Sequence, residues 1–206
     1  MYQSVRSAFT PLMKRWEGCC PYLYLDVKGL VTTAVGNLVD TPSQAIALPF
    51  KRKDGTAAGP SEIVGEWLRV KSFQAMRFQG GYAYAKMTTL RLTNEGVAGI
   101  VERQLDANEK HLTKRFPDWN TWPADAQLAI HSLSWACGPH FRFAVLEHHL
   151  LAGDFSLAAG ECHISEHGNP GVKPRNVGNE IMLRNAAWIV SSGWDRSVLH
   201  YPVVLG

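Results

Sequence analysis

The chain has no long hydrophobic run. Nothing in its 206 residues approaches the roughly 20 consecutive apolar residues that span a bilayer, so stable membrane insertion is not expected. The start, Met1-Tyr2-Gln3-Ser4-Val5-Arg6-Ser7-Ala8, lacks the apolar core of a secretory leader, and the expectation is synthesis in the cytoplasm without a signal peptide. Cysteine is scarce. Cys19, Cys20, Cys137 and Cys162 form no Cys-x-x-Cys pair, which removes the usual redox and thiolate-zinc motifs. Free thiols are the expected state, with a bridge from Cys19 or Cys20 to Cys137 or Cys162 left open.

Charge is equally thin. Charged residues make up 19% and the net charge is only +3, with no basic stripe interleaved with aromatics, so nucleic acid is not an expected partner. His163 and His167 stand at helical spacing beside Glu161 and Glu166, and His148 adjoins His149. The His-Glu-x-x-His order of a helical zinc site is missing, so these read as a solvated polar face, and no metal or cofactor is expected. Internal repeats and low-complexity tracts are also missing. The 46% of hydrophobic residues suffices for a globular core.

What is present reads as α+β and mostly helical. Thr10-Pro11 predicts a helix start, with proline in its first turn, running through Leu12, Met13 and Trp16 to Glu17 and stopping at Gly18. Residues 22–40, rich in Tyr, Leu, Val and Thr and broken at Val27-Lys28-Gly29 and Gly36-Asn37, predict a small antiparallel sheet. A helix is expected over 62–76 behind Ser61, then a loop at Gly80-Gly81 and a short strand suggested by the Tyr82/Tyr84 alternation. Thr93 caps a long helix with Val97, Ile100, Val101, Gln104, Leu105, Asn108, His111 and Leu112 on one face. A helix after Pro123 is apolar all round and should be a buried centre, ringed by helices over 141–151, 155–163 and 178–190. The tail over 193–206 has no assignment.

Three side chains carry the chemistry. Glu17 closes a helix, where the negative end of the helix dipole suits a group that must hold a proton. Asp26 follows after eight intervening residues and Thr32 after five more, both in the hairpin. Two carboxylates on neighbouring elements are what a glycosidase uses, one to protonate the leaving oxygen and one to serve the opposite face of the sugar. Taken singly, each has a plainer reading: a solvated helix-end glutamate, a turn aspartate, a β-branched strand residue.

The spacing Glu17-Gly18, Asp26, Gly29, Thr32 and Gly36-Asn37 resembles the phage-type lysozymes, the muramidases of glycoside hydrolase family 24. A weaker resemblance continues over 92–138 and 169–187, whereas 41–90 has no counterpart in the family's shorter members. The resemblance implies a lysozyme-like two-lobed fold, one domain overall. Residues 1–92 would form an N-terminal lobe with an insertion at about 41–90, and 93–206 a connecting helix and a helical C-terminal lobe. It further implies hydrolysis of the β-1,4 bond between N-acetylmuramic acid and N-acetylglucosamine by inversion. Glu17 would be the general acid, with Asp26 and Thr32 positioning water.

In the same resemblance Trp135 corresponds to a cleft-side aromatic, although a tryptophan on an apolar helix reads as well as core. Arg175 and Asn176, after the loop Gly168-Asn169-Pro170-Gly171-Val172-Lys173-Pro174, would bind substrate or else cap the following helix. Two positions depart from the family: Ala34 stands where glycine is usual and Asn37 where histidine is. The implied partner is the peptidoglycan glycan strand, met by a monomer acting in the periplasm or cell wall. Delivery would be holin-dependent as for an endolysin, or by injection as for an antibacterial effector that meets an immunity protein. A non-catalytic wall-binding module of the same fold is the reading from outside enzymology.

Overall fold

Val5, Phe9 and Met13, four residues apart, are completely buried, and they decide where the first helix begins. In the computed structural model α1 spans Gln3–Glu17 with Pro11 inside it, eight residues earlier than the Thr10-Pro11 signal predicts. An interior proline costs about 3 kcal/mol. Burying Val5 and Phe9 returns about 1.5–3 kcal/mol each, so packing overrides the local stop signal. The structure describes residues 1–169 and 171–206; Pro170, part of the loop quoted above, lies outside the described residues.

The chain is α+β, predominantly helical, with one three-stranded antiparallel sheet. After α1 come β1 (Cys20–Leu25), β2 (Val31–Ala34) and β3 (Asn37–Leu38). The helices that follow are α2 (Pro42–Ile46), α3 (Pro60–Ser72), α4 (Asn94–Arg115), α5 (Ala124–Cys137), α6 (Ala144–Leu151), α7 (Phe155–Gly160) and α8 (Lys173–Ser192). Among the described residues no helix is long and apolar enough to cross a membrane. Two compact units result, one of Met1–Trp16 with Gln104–Gly206 and one of Glu17–Arg103. The first sixteen residues thus group with the C-terminal helices, not with the hairpin that follows them.

In the unit Glu17–Arg103 the strands form a meander in the order β1-β2-β3. Tyr24 faces Thr32 and Leu25 faces Val31 across the first pair, with an irregularity between Cys20 and Tyr24. Thr32 faces Leu38 across the second. Leu23, Leu25, Val31, Val35, Phe50, Ile63, Trp67, Val70 and Tyr84 fill the core beneath. Ala34 holds φ +55°, a left-handed conformation that strains any residue with a Cβ. The departure from glycine at this position is therefore a departure at a strained turn.

The segment 41–90 is well built. Thr41 and Gln44 make a reciprocal capping box for α2. Helix α3 starts at Pro60 on Gly59, whose amide donates to the Glu62 carboxylate at 2.7 Å, two residues earlier than expected and with Gly59 in the place of Ser61. Instead of a strand, residues Gly81–Lys86 form a 3₁₀ turn that leaves Tyr82 70% exposed and Tyr84 buried.

In the other unit, α5 is buried on every side over 124–134, as its all-round apolar pattern predicts, and it packs chiefly on α8. Thr93, still within the unit Glu17–Arg103, caps α4 through its Oγ1, which accepts the Gly96 amide at 3.1 Å. Helix α8 begins at Lys173, five residues before the expected start. The tail is fastened by buried polar groups. Asp125 accepts the His200 and Tyr201 amides at 2.9 and 3.0 Å, and Asn185 brackets Val203 and Leu205.

Candidate active site

Glu17 is the last residue of α1, and Gly18 turns the chain out of the helix at φ +75°. A Cβ on Gly18 would lie 3.0 Å from the Tyr82 hydroxyl, so this glycine is required both by its backbone angle and by the close approach of Tyr82. An exposed aromatic ring from the 41–90 segment therefore lies beside the residue that follows Glu17.

Asp26 sits at the head of the β1–β2 turn and is held by it. Its Oδ1 accepts the amides of Lys28 and Leu30, both at 2.9 Å. Its own amide donates to the Leu30 carbonyl at 3.0 Å, and its carbonyl accepts the Gly29 amide at 2.9 Å. Oδ2 has no partner among the described residues. One oxygen thus fixes the turn while the other stays unengaged. Thr32, 4% exposed, donates its hydroxyl to the Leu30 carbonyl at 3.2 Å. The hydroxyl proton is committed, which leaves its lone pairs as acceptors.

Tyr24, opposite Thr32 in the sheet, senses both carboxylates. Burial pushes its phenol far above the ordinary tyrosine value, and the charges of Cys20, Glu17, Asp26 and Cys19 push it further in the same direction. Both carboxylates therefore lie within electrostatic reach of one neutral O–H group. Tyr24 packs on Gly81, where a Cβ would come within 3.2 Å of the ring and 2.7 Å of the Cys20 sulfur. Burial raises the Cys20 thiol as well, opposed by its hydrogen bond with Tyr22. Tyr24 does not stand out in the sequence, and Tyr82 enters it only through its alternation with Tyr84. The only hint was the pair of glycines at 80–81, which admits a close approach to the strand.

The 41–90 segment braces the turn. Gly29 holds φ +76°, where a Cβ is strained, and Gln74 Oε1 would lie 2.3 Å from that Cβ and have to move. The Gly29 carbonyl accepts Lys71 Nζ at 3.1 Å and Gln74 Nε2 at 3.2 Å. Lys71 also pairs with Asp40 at 2.6 Å, and Asp40 accepts the Val31 amide at 2.9 Å. Burial alone would raise Asp40, but the Lys71 ammonium and the Val31 amide outweigh it and hold the carboxyl below its ordinary value. Trp67 completes the brace by donating to the Val39 carbonyl at 2.7 Å.

The remaining residues singled out from the sequence belong to the other unit. Trp135, on α5, is half-buried with its ring edge-on to Phe9 at 5.3 Å. Arg175 is 2% exposed. Its Nη1 donates to the Ser132 carbonyl and hydroxyl at 2.8 and 3.1 Å, and its guanidinium lies over the Trp16 ring. Asn176, also 2% exposed, brackets Ile164, accepting its amide at 2.9 Å and donating to its carbonyl at 2.8 Å. Both lie in the first turn of α8 and neither caps it. Arg175 Nη1 and the Asn176 amide engage groups of the same unit, an internal fastening role where a sugar contact was expected. All four cysteines are free thiols. His163 faces Glu180 at 3.2 Å, and among the described residues no three ligating side chains converge as a metal site would need.

The chain matches no protein-family model and no curated protein sequence.

Proposed function

We propose that this chain is a muramidase with a lysozyme-like two-lobed fold that hydrolyses the β-1,4 bond after N-acetylmuramic acid in peptidoglycan. The observation that carries the reading is the fastening of Asp26 and Thr32 to one residue, Leu30, beside a tyrosine whose phenol feels the charges of both Glu17 and Asp26.

The chemistry follows from these groups. Glu17, protonated, gives its proton to the glycosidic oxygen as the C1–O bond breaks. A water on the opposite face gives one hydrogen bond to Asp26 Oδ2 and the other to the lone pair of Thr32 Oγ1, which leaves its own lone pair aimed at C1. As the C–O bond forms, the water proton passes to Asp26, and the product has the inverted anomeric configuration. Solvent then returns a proton to Glu17 and removes one from Asp26. General acid–base help of this kind contributes roughly 10²–10⁴-fold, and the fixed orientation of the water adds to it. Tyr24 stays neutral throughout.

The site of action in this reading is the cell wall. Purified sacculi treated with the enzyme and then reduced with borohydride test it: muramitol at the new chain ends supports the assignment. Glucosaminitol in its place would mean cleavage of the other linkage. Proton NMR of the first product formed should show the α-anomer.

A further inference from the structure

An open pocket of about 580 Å³ is lined by Arg52, Lys53, Glu62, Thr88, Thr89, Leu90 and Arg91, a volume in the range of small-ligand sites. Three cations face one carboxylate there, and that carboxylate is already used. Glu62 takes Arg52 in a two-point contact at 2.7 and 2.5 Å and the Gly59 amide at 2.7 Å. Glu66, beneath the wall, is likewise occupied by Thr89, Leu90 and Arg69.

Arg91 and Lys53 have no carboxylate partner among the described residues. Arg91 gives Nη1 to Thr88 Oγ1 at 3.0 Å and to the Leu90 carbonyl at 2.7 Å, and Nη2 to the Ala85 carbonyl at 2.5 Å. Of its five N–H groups, the one on Nε and the second on Nη2 are left unspent. The guanidinium is fixed in place over the Tyr22 ring, 4.6 Å from its centre. Lys53 is exposed with all three donors available.

We propose that this cavity binds a carboxylate-bearing peptide, the stem attached to the glycan strand. The fork of Arg91 matches a carboxylate, Lys53 holds a second acidic group, and Leu90 with the threonine methyls meets aliphatic side chains. The choice of peptide rests on the muramidase reading. Tyr22, under Arg91, precedes Tyr24 by two residues on β1, a step of about 7 Å along a strand. A peptide branching from a glycan beside Tyr24 and running along β1 thus meets the guanidinium of Arg91 over Tyr22.

The test uses the stem tripeptide L-Ala-γ-D-Glu-L-Lys, its counterpart with every carboxylate amidated, and inorganic phosphate, with titration calorimetry on wild type, Lys53→Glu and Arg91→Gln. The acidic peptide should bind wild type at least tenfold more tightly than the amidated one, and Lys53→Glu should lose that preference. Arg91 also braces neighbouring carbonyls, so the exposed Lys53 supplies the variant with no folding penalty. Lys53→Glu should hydrolyse peptide-free glycan strands at the wild-type rate and lose only the preference for peptide-bearing ones. Equal binding of the two peptides, an unaffected Lys53→Glu, or phosphate displacing the peptide at equal concentration would overturn the assignment. Charge-dependent peptide binding without any glycan hydrolysis would uphold the cavity and sink the muramidase reading. Hydrolysis with charge-independent binding would do the reverse.

Discussion

Asp26 and Thr32 are fastened to the two ends of a single residue: the Leu30 amide donates to Asp26 Oδ1 at 2.9 Å, and the Leu30 carbonyl accepts Thr32 Oγ1 at 3.2 Å. Their separation cannot change without breaking the hairpin turn. A catalytic pair has to be held in this way, because misplacement of about 1 Å costs on the order of 100-fold in rate. It also divides the labour within Asp26, with one oxygen structural and the other free to act.

That division separates two substitutions. Asp26→Asn keeps an acceptor for the Lys28 and Leu30 amides, so stability should stay within about 0.5 kcal/mol while turnover falls by at least about 100-fold. Asp26→Ala removes the acceptor as well and should cost a further 1–2 kcal/mol or so. Urea denaturation beside a turbidity assay measures both. Equal stability losses for the two variants would contradict the structural role of Oδ1.

Thr32→Val keeps the shape and burial of the side chain and removes the oxygen. Turnover should drop about tenfold or more, and Thr32→Ser should restore most of it, since loss of one positioned polar contact is worth about 1.5–3 kcal/mol when the partner is charged in the transition state. A fully active valine variant would leave Thr32 as an ordinary strand residue.

At Ala34 the left-handed backbone costs an L-residue about 1–2 kcal/mol, against about 0.5–1 kcal/mol for the extra freedom glycine brings to the unfolded chain. Ala34→Gly should therefore stabilise by up to about 1 kcal/mol, visible as a higher urea midpoint at unchanged slope. A lower midpoint would mean that the turn relaxes around alanine.

Acid should destabilise the unit Met1–Trp16 with Gln104–Gly206 through Glu109 and His131. Burial opposes ionisation of Glu109, but hydrogen bonds from His131, the amino terminus and Trp119 outweigh it and bring it down to about 2. A depressed carboxylate contributes stability that is complete above its unfolded value near 4.5 and is lost as pH falls toward 2. His131 is lowered by burial, opposed by Glu109; its contribution is complete above about 6.5 and is lost below that, with the same sign. Thermal midpoints should thus fall in two stages between pH 7 and 2. Glu109→Gln should shrink the lower stage, which Asp40, Glu147 and Glu180 share, and a profile indistinguishable from wild type below pH 4 would contradict it.

Much of the fold was legible because local and tertiary preferences agree. Thr93 caps α4 as its side chain allows, and the apolar circumference of α5 put it at a centre. Where they conflict, tertiary contacts win: Pro11 marks a helix start on propensity, yet Val5 and Phe9 need the preceding turns for burial. The capping box at Thr41 and Gln44 is present in the sequence, but its helix is only five residues long, too short to show a periodic apolar face. Arg175 and Asn176 read as surface groups because a charged or amide side chain after a glycine-rich loop normally is. Their burial depends on Ser132, Trp16 and Ile164, partners that sequence spacing cannot supply. Tyr24 was hidden for the same reason, since its neighbours come from the end of α1, the hairpin turn and the 81–86 turn.

The measurement closest to the central claim is release of reducing ends from purified sacculi by wild type and Glu17→Gln, with thermal melts run on the same preparations. The account predicts steady release by wild type, a loss of at least about 100-fold in the variant, and melting temperatures that agree within a few degrees. Release by the glutamine variant at the wild-type rate would contradict it, because no proton donor would then be needed at the end of α1.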